Sequence, residues 1–591
     1  MADFLGGSVI LRACGRVGKK ISETARVSLL LGRGKKRNIG SNSKLVAALN
    51  RLHPAEATVA AIGRSSIFSW LYQYWSRLAG GGVSALLWLL TPLLVLLAGS
   101  MAYAGRFAVA GGLLLGLGLA FLLFFHRGSL GDWLEHTLLG RQIAKRISIP
   151  QSAPSRTVNW YLAVCGLLAG GIGWLLGVKL ALIAAIGLSG LPLLFALPTH
   201  WAVCLLCGAL PLVGTGVCWA LSVVVAVLYF FGRAFRGEAG KKVDTIDILL
   251  LIFPLLCAVS TFFSFAVADS AKVTAMWLGL FLCVFFIRRA INSKGRLLAV
   301  LGSFTAGAVL SGLYGLFQYL SGTVDTTWTD TDMFSGLELR VYSTFANPNV
   351  YGEFLLLMLP LTAALAMYAT GKKRWLMVGV NGLLLVNLLL TYSRGCYVGI
   401  ALTAVIYLWN YSKKWLAALA VIGIPLAILL MPESVVDRIM SIGDMGDSST
   451  SYRMNIYIGT LLMLSHFWFS GVGLGEAAFN RVYPYYALNA IVAPHSHSLF
   501  FQSVVSFGII GLVYLLIVWI VYQRRTKRDQ LRMSKRDRVL MIGFNTVLWG
   551  MMLQSGFDYT WYNYRVFQMF WIIIVLGIAA AEVLRSKEDK V

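Results

Sequence analysis

"VSALLWLLTPLLVLLAG", residues 83–99, carries no charge and only two hydroxyl groups. A helix of about 20 such residues crosses a hydrocarbon core of about 30 Å. Similar stretches recur along the chain, as in "LVYLLIVWIVY" at 512–522. Of 591 residues, 58% are hydrophobic and 13% are charged, which is half the charged share of a soluble domain. The runs are too long for a membrane barrel, whose strands alternate in segments of about 10 residues. The fold class that follows is an all-α polytopic integral membrane protein with about 14 transmembrane helices, in a range of roughly 12 to 16. The opening "MADFLGGSVILRACGRVGKK" has no apolar run long enough for a cleavable signal.

The net charge of +26 raises the question of nucleic acid, but its distribution answers otherwise. Lys and Arg gather at 12–77, 141–156, 233–242, 288–296, 372–374, 413–414 and 524–538. Loops rich in Lys and Arg stay in the cytoplasm, so these clusters orient the chain and need no nucleic acid. Both termini are then cytoplasmic in a multi-pass protein of the cell membrane. Residues 1–80 read as a basic cytoplasmic arm in contact with the lipid bilayer, and 81–320 as an N-terminal bundle. Residues 321–522 read as a core with a large outer loop at 432–496, and 523–591 as a basic cytoplasmic loop plus a C-terminal helix hairpin. Spans are expected near 350–370, 395–410, 497–522, 539–558 and 566–584, among others. The stretch 200–231 is expected as two short passes or a re-entrant hairpin around Pro211 and Gly214. Cysteines lie mostly in apolar runs, including Cys204 and Cys207, where thiols act as small hydrophobes.

The cations expected outside after residue 320 are Arg340, Arg394, Arg438, Arg453, Arg481 and Arg565, with no lysine. Arginine grips phosphate through a planar fork and keeps its charge when desolvated. Ion pairing and lipid-headgroup contact are the plainer roles. "TYSRGCYVG" (391–399) puts Arg394 in a tight turn between two apolar runs. "TFANPNVYGEFLLLMLPL" (344–361) offers Asn347 as a helix cap before Pro348. "SYRMNIYIGTLLML" (451–464) reads as an interfacial helix, with Arg453 on its polar edge and Ile456, Leu461 and Leu464 below. "SGVGLGEAAF" (470–479) is glycine-rich and reads as a turn. "APHSHSLFFQ" (493–502) places His495 and His497 where the long loop re-enters the membrane. A general base, a metal ligand pair and a plain helix-entry turn all fit an H-x-H. No metal is expected, because the nearest acid along the chain is Glu476.

The ordered set "TFANPN..G", "SRG" between two spans, an arginine opening the long loop, "GVGLG" and "HSHSLFFQ...FGIIGL" resembles the O-antigen ligase/polymerase superfamily over about 340–515. The resemblance implies metal-independent glycosyl transfer without a cofactor on the outer face of the cytoplasmic membrane, for cell-surface polysaccharide assembly. The donor would be a glycan on undecaprenyl diphosphate, and the acceptor a saccharide or glycolipid. By motif position His497 is the catalytic residue, and Arg394 and Arg453 bind the diphosphate. His495, Asn347 and Arg481 are candidate supporting residues. The family shows His-Asn where this chain has His497-Ser498. Two other readings are a multi-span secondary transporter and a non-catalytic envelope protein. A peptidoglycan polymerase of the SEDS type would instead rely on an outer acid such as Asp325, Asp330, Asp332 or Glu338.

Overall fold

The computed structural model describes residues 54–81, 83–122, 156–237, 243–323, 339–430, 433–440, 448–530 and 533–585, with isolated positions at 129, 132 and 137. The candidate acids Asp325, Asp330, Asp332 and Glu338 lie outside the described residues, as do residues 1–53 of the basic arm. Two compact units divide the chain: one holds 1–54 and Lys242–Leu251, the other Ala55–Lys241 and Ile252–Val591. In the first, Asp244 Oδ1 accepts from the backbone N–H groups of Ile246 and Asp247 at 3.0 and 3.3 Å. The residues of 339–585 that the structure describes, with both histidines, belong to the second unit.

Helices make up the ordered structure among the described residues, and eleven are long and apolar enough to span a membrane. Three shorter apolar helices join them: Phe107–Ala120, Val178–Gly190 and Thr199–Ala209. The protein is thus a multi-pass helical membrane protein, with eleven full spans among the described residues beside the 14 expected for the whole chain. Part of the difference is length. Thr199–Ala209 has 11 residues, roughly 16 Å of helix, which is half a bilayer core. The 200–231 stretch is therefore this short helix followed by one full span, Thr215–Phe235, turning at Pro211 and Gly214. Residues 413–430 are broken by a π-helical turn at Leu419–Gly423.

Burial separates core from periphery. In the most apolar 18 residues of Pro348–Tyr368, Lys535–Phe557 and Tyr564–Val583, 78%, 78% and 89% of the residues are buried. By contrast 22% of the residues of Leu86–Tyr103 are buried. On the outer helices Leu115, Trp160 and Leu175 are openly exposed, a surface suited to lipid and not to water. Capping fixes where the core helices begin. Asn347 accepts from the N–H groups of Asn349 and Val350, with Pro348 in the first turn, as the sequence predicts. Ser534 accepts from Asp537 N, and Asn563 from Arg565 N and Val566 N.

Two boundaries differ from expectation. Residues 66–80 form a helix inside the expected arm, where Tyr74 is fully buried and donates to Ser189 O at 3.0 Å. The run 497–522 is two helices, Leu499–Phe507 and Ile509–Gln530. Gly508 breaks it at φ +69°, and a Cβ there would lie 1.8 Å from Phe469 O. The second helix runs on to Gln530, past the boundary expected at 522. Within the loop expected at 432–496, the helix expected at 451–464 is present and runs from Ser448 to Phe467. Ile456 and Leu464 are buried on it as expected, but Leu461 is half exposed, because the buried face follows Ile456, Thr460, Met463 and Leu464.

Candidate functional site

The two histidines do not lie in a helix. They sit in the turn before Leu499–Phe507, and hydrogen bonds hold that turn on every side. Ser496 N donates to Gln502 Oε1 at 2.9 Å, and Ser496 Oγ to Ser498 O at 3.1 Å. Leu499 N donates to Asp558 O at 3.2 Å, and Tyr457 Oη to His497 O at 3.0 Å. Within this frame His497 takes φ +50°, a left-handed conformation that costs a residue with a side chain about 1–3 kcal/mol. His497 N donates to His495 Nδ1 at 3.1 Å, so His495 is an acceptor on that nitrogen and is neutral. Burial, and then the neighbouring His497, push the His495 pKa down to about 3.

What His497 faces is Asp558, the residue that follows the Lys535–Phe557 helix. His497 Nδ1 lies 3.5 Å from Asp558 Oδ1, longer than a good hydrogen bond. Asp558 Oδ2 lies 3.4 Å from Arg453 Nη2, across 105 residues of chain. Burial opposes the charge on Asp558, but His497 and Arg453 outweigh it and hold the carboxyl well below the usual carboxylate range. The side chains of His497, Asp558 and Arg453 are 16%, 13% and 25% exposed, so the cluster is partly screened from solvent yet reachable. Tyr452 meets the His497 ring edge-on at 5.7 Å, and Tyr562 lies 4.6 Å from the His495 ring.

Arg394 begins the helix Arg394–Tyr411 and is half-buried. No side chain caps this helix, so its first N–H groups and its dipole favour an anion beside the arginine. Gly395 sets the position. A Cβ there would lie 2.1 Å from Gln554 Oε1, and Gln554 is one helical turn before Asp558. The sequence-predicted Arg394, Arg453, His495 and His497 thus come to one end of the bundle.

Other expected residues are placed elsewhere. Asn347 is spent on its cap. Arg481 is exposed on the short helix Glu476–Val482, and Asp269 feels its charge. Arg340 donates to Thr391 O and Asn349 Oδ1 at 3.0 and 3.1 Å. Arg565 donates to Val213 O and Thr344 O and stacks on Phe345, a clasp between three segments.

Asp558 is the residue that sequence reading missed. The reading ended a span at 558 and passed over the acid at its tip. The signal was there: a lone carboxylate where a helix leaves the membrane. The expectation of no metal rested on Glu476 as the nearest acid along the chain; in space, Asp558 stands 3.5 Å from His497. His495, His497 and Asp558 offer ligand atoms within 4.8 Å of one another, a set that fits a divalent ion. Two contacts compete with that use. His495 Nδ1 already accepts from His497 N, and Arg453 occupies the other side of the carboxylate.

The fold and site together define a many-span helical membrane protein with a histidine, a carboxylate and arginines at one end of its bundle. Residues 379–516 match the family model described as O-antigen ligase, which supports membership of the O-antigen ligase superfamily. The match includes Arg394, Arg453, Arg481, His495 and His497, and ends before Asp558. No curated protein matches the chain.

Proposed function

We propose that the protein is a membrane glycosyltransferase that transfers or polymerises an undecaprenyl-diphosphate-linked oligosaccharide, with the His497 end of the bundle on the outer face of the cytoplasmic membrane. The observation that carries this reading is the line Arg453–Asp558–His497 at the end of the bundle where Arg394 opens its helix. With Nδ1 turned to a carboxylate, the imidazole carries its proton there and leaves Nε2 basic. An acceptor hydroxyl attacks the anomeric carbon and gives its proton to Nε2. The bond from that carbon to the diphosphate oxygen breaks, and the electron pair leaves with the lipid diphosphate. Asp558 stabilises the imidazolium, and Arg394 and Arg453 hold the departing charge. Attack opposite the leaving group inverts the anomeric centre. The reaction needs no metal in this scheme, since the arginines supply the positive charge.

The lipid-linked glycans of a deletion strain test this reading. Accumulated donor restored to normal by the wild-type gene supports it, with long chains marking a ligase and single repeats a polymerase. An unchanged donor pool would remove it in favour of a transporter or envelope role. Orientation has its own test. Val492 and Lys535 are exposed, and the described cysteines are buried. A membrane-impermeant thiol reagent on intact cells should label Val492→Cys and spare Lys535→Cys.

A further inference from the structure

Far from His497, the helices Arg394–Tyr411, Ile509–Gln530 and Lys535–Phe557 enclose a cavity of about 260 Å³. Asn410, Gln523, Arg524, Lys527, Asn545 and Trp549 line it. Asn545 lies some three and a half turns below Asp558 on the same helix, roughly 20 Å away, so the cavity opens at the opposite side of the membrane.

Three features define what it takes. Arg524 and Lys527 are exposed and three residues apart, on one face of their helix. No carboxylate lines the cavity, and neither cation has an ion pair among the described residues. The acids nearby are committed: Asp529 pairs with Arg528 at 3.2 Å, and Glu582 with Arg288 and Arg525 at 2.5 and 3.0 Å. Asn545 is 8% exposed, and its Oδ1 is buried without a hydrogen-bond partner. Its Nδ2 is spent on Gln530 Oε1 at 2.6 Å, so the unmet group is an acceptor that needs a donor. Trp549, against Trp519 at 4.9 Å, gives the cavity an aromatic wall of the kind found at bilayer interfaces.

We propose that this cavity binds the headgroup of an anionic phospholipid in the leaflet opposite the His497 site. The phosphodiester lies between Arg524 and Lys527, and a headgroup hydroxyl donates to Asn545 Oδ1. A bare phosphodiester has no proton to give that oxygen. Choline has none either, and an ethanolamine headgroup brings a third cation against two. Phosphatidylglycerol meets all three requirements. This site is independent of the chemistry proposed at His497.

The test is native mass spectrometry of the full-length protein in detergent, titrated with phosphatidylglycerol, phosphatidylcholine and inorganic phosphate. Wild type should prefer phosphatidylglycerol over phosphatidylcholine by about thirtyfold, the effect of two cations facing an anionic lipid. Arg524→Gln/Lys527→Gln should lose that preference while melting at the wild-type temperature, since both side chains are exposed. Millimolar inorganic phosphate should not displace the lipid. Equal retention of both lipids by wild type, or an unchanged preference in the double variant, would overturn the proposal. Displacement by phosphate would assign the cavity to a soluble anion and overturn the lipid as well.

Discussion

Asp558 serves two partners with one carboxylate, His497 Nδ1 at 3.5 Å from Oδ1 and Arg453 Nη2 at 3.4 Å from Oδ2. The three groups come from three separate elements: a loop, a helix tip and a helix in the long segment after residue 432. A change at any one is therefore felt by the other two.

Loss of the base should be the most damaging change. His497→Ala is expected to lower glycan transfer by about 10²–10⁴, with normal expression in membranes. Asp558→Asn keeps the shape, loses the charge and should also fall. Because the two act as a unit, the double variant should be little worse than His497→Ala alone. Near-wild-type transfer by His497→Ala would leave the histidines as a helix-entry turn.

Arg394 tests the phosphate fork. Arg394→Lys keeps the charge but loses the planar pair of donors. Transfer should fall by about tenfold or more, chiefly as weaker donor binding. A lysine variant as active as wild type would mean that Arg394 acts as a point charge only.

His495 links the site to pH. Its pKa is depressed to about 3 in the folded chain, against about 6.5 unfolded. As pH falls below about 6.5 the unfolded chain takes up a proton that the folded chain refuses. Stability is therefore full above that pH and falls between roughly 6.5 and 3, by at most about 1.4 kcal/mol per pH unit. Asp558, also depressed, adds a loss in the same direction below about 3.9. Melting temperatures at pH 7.5 and pH 5 should differ less in His495→Gln, which keeps an acceptor for His497 N. Parallel melting curves for the two proteins would count against the neutral, buried His495. His495→Ala is expected to lower transfer less than His497→Ala, because His495 acts by positioning its neighbour. The two rings are 4.2 Å apart in one turn, and His495 supports the His497 backbone.

Metal dependence decides between two uses of the same three side chains. Purified protein with a lipid-linked donor should turn over unchanged in excess EDTA. Activity lost to the chelator and restored by a divalent ion would assign His495, His497 and Asp558 to metal binding.

Composition and apolar run length were enough, without a structure, to make this a helical, many-span membrane protein, because a bilayer admits few other solutions for its backbone. Local chemistry was legible in the same way: Asn347 before Pro348 reads as a cap, and it caps. The ordered motifs from 340 to 515 also pointed to Arg394, Arg453 and His497, which the fold brings to one end of the bundle. Three things needed the tertiary structure. The break at Gly508 depends on Phe469 O lying against it, a contact that no run of hydrophobic residues records. The division of arginines into clasps and site residues depends on which carbonyls reach Arg340 and Arg565. The place of Asp558 beside His497 and Arg453 depends on helix packing, and sequence distance holds no trace of that proximity.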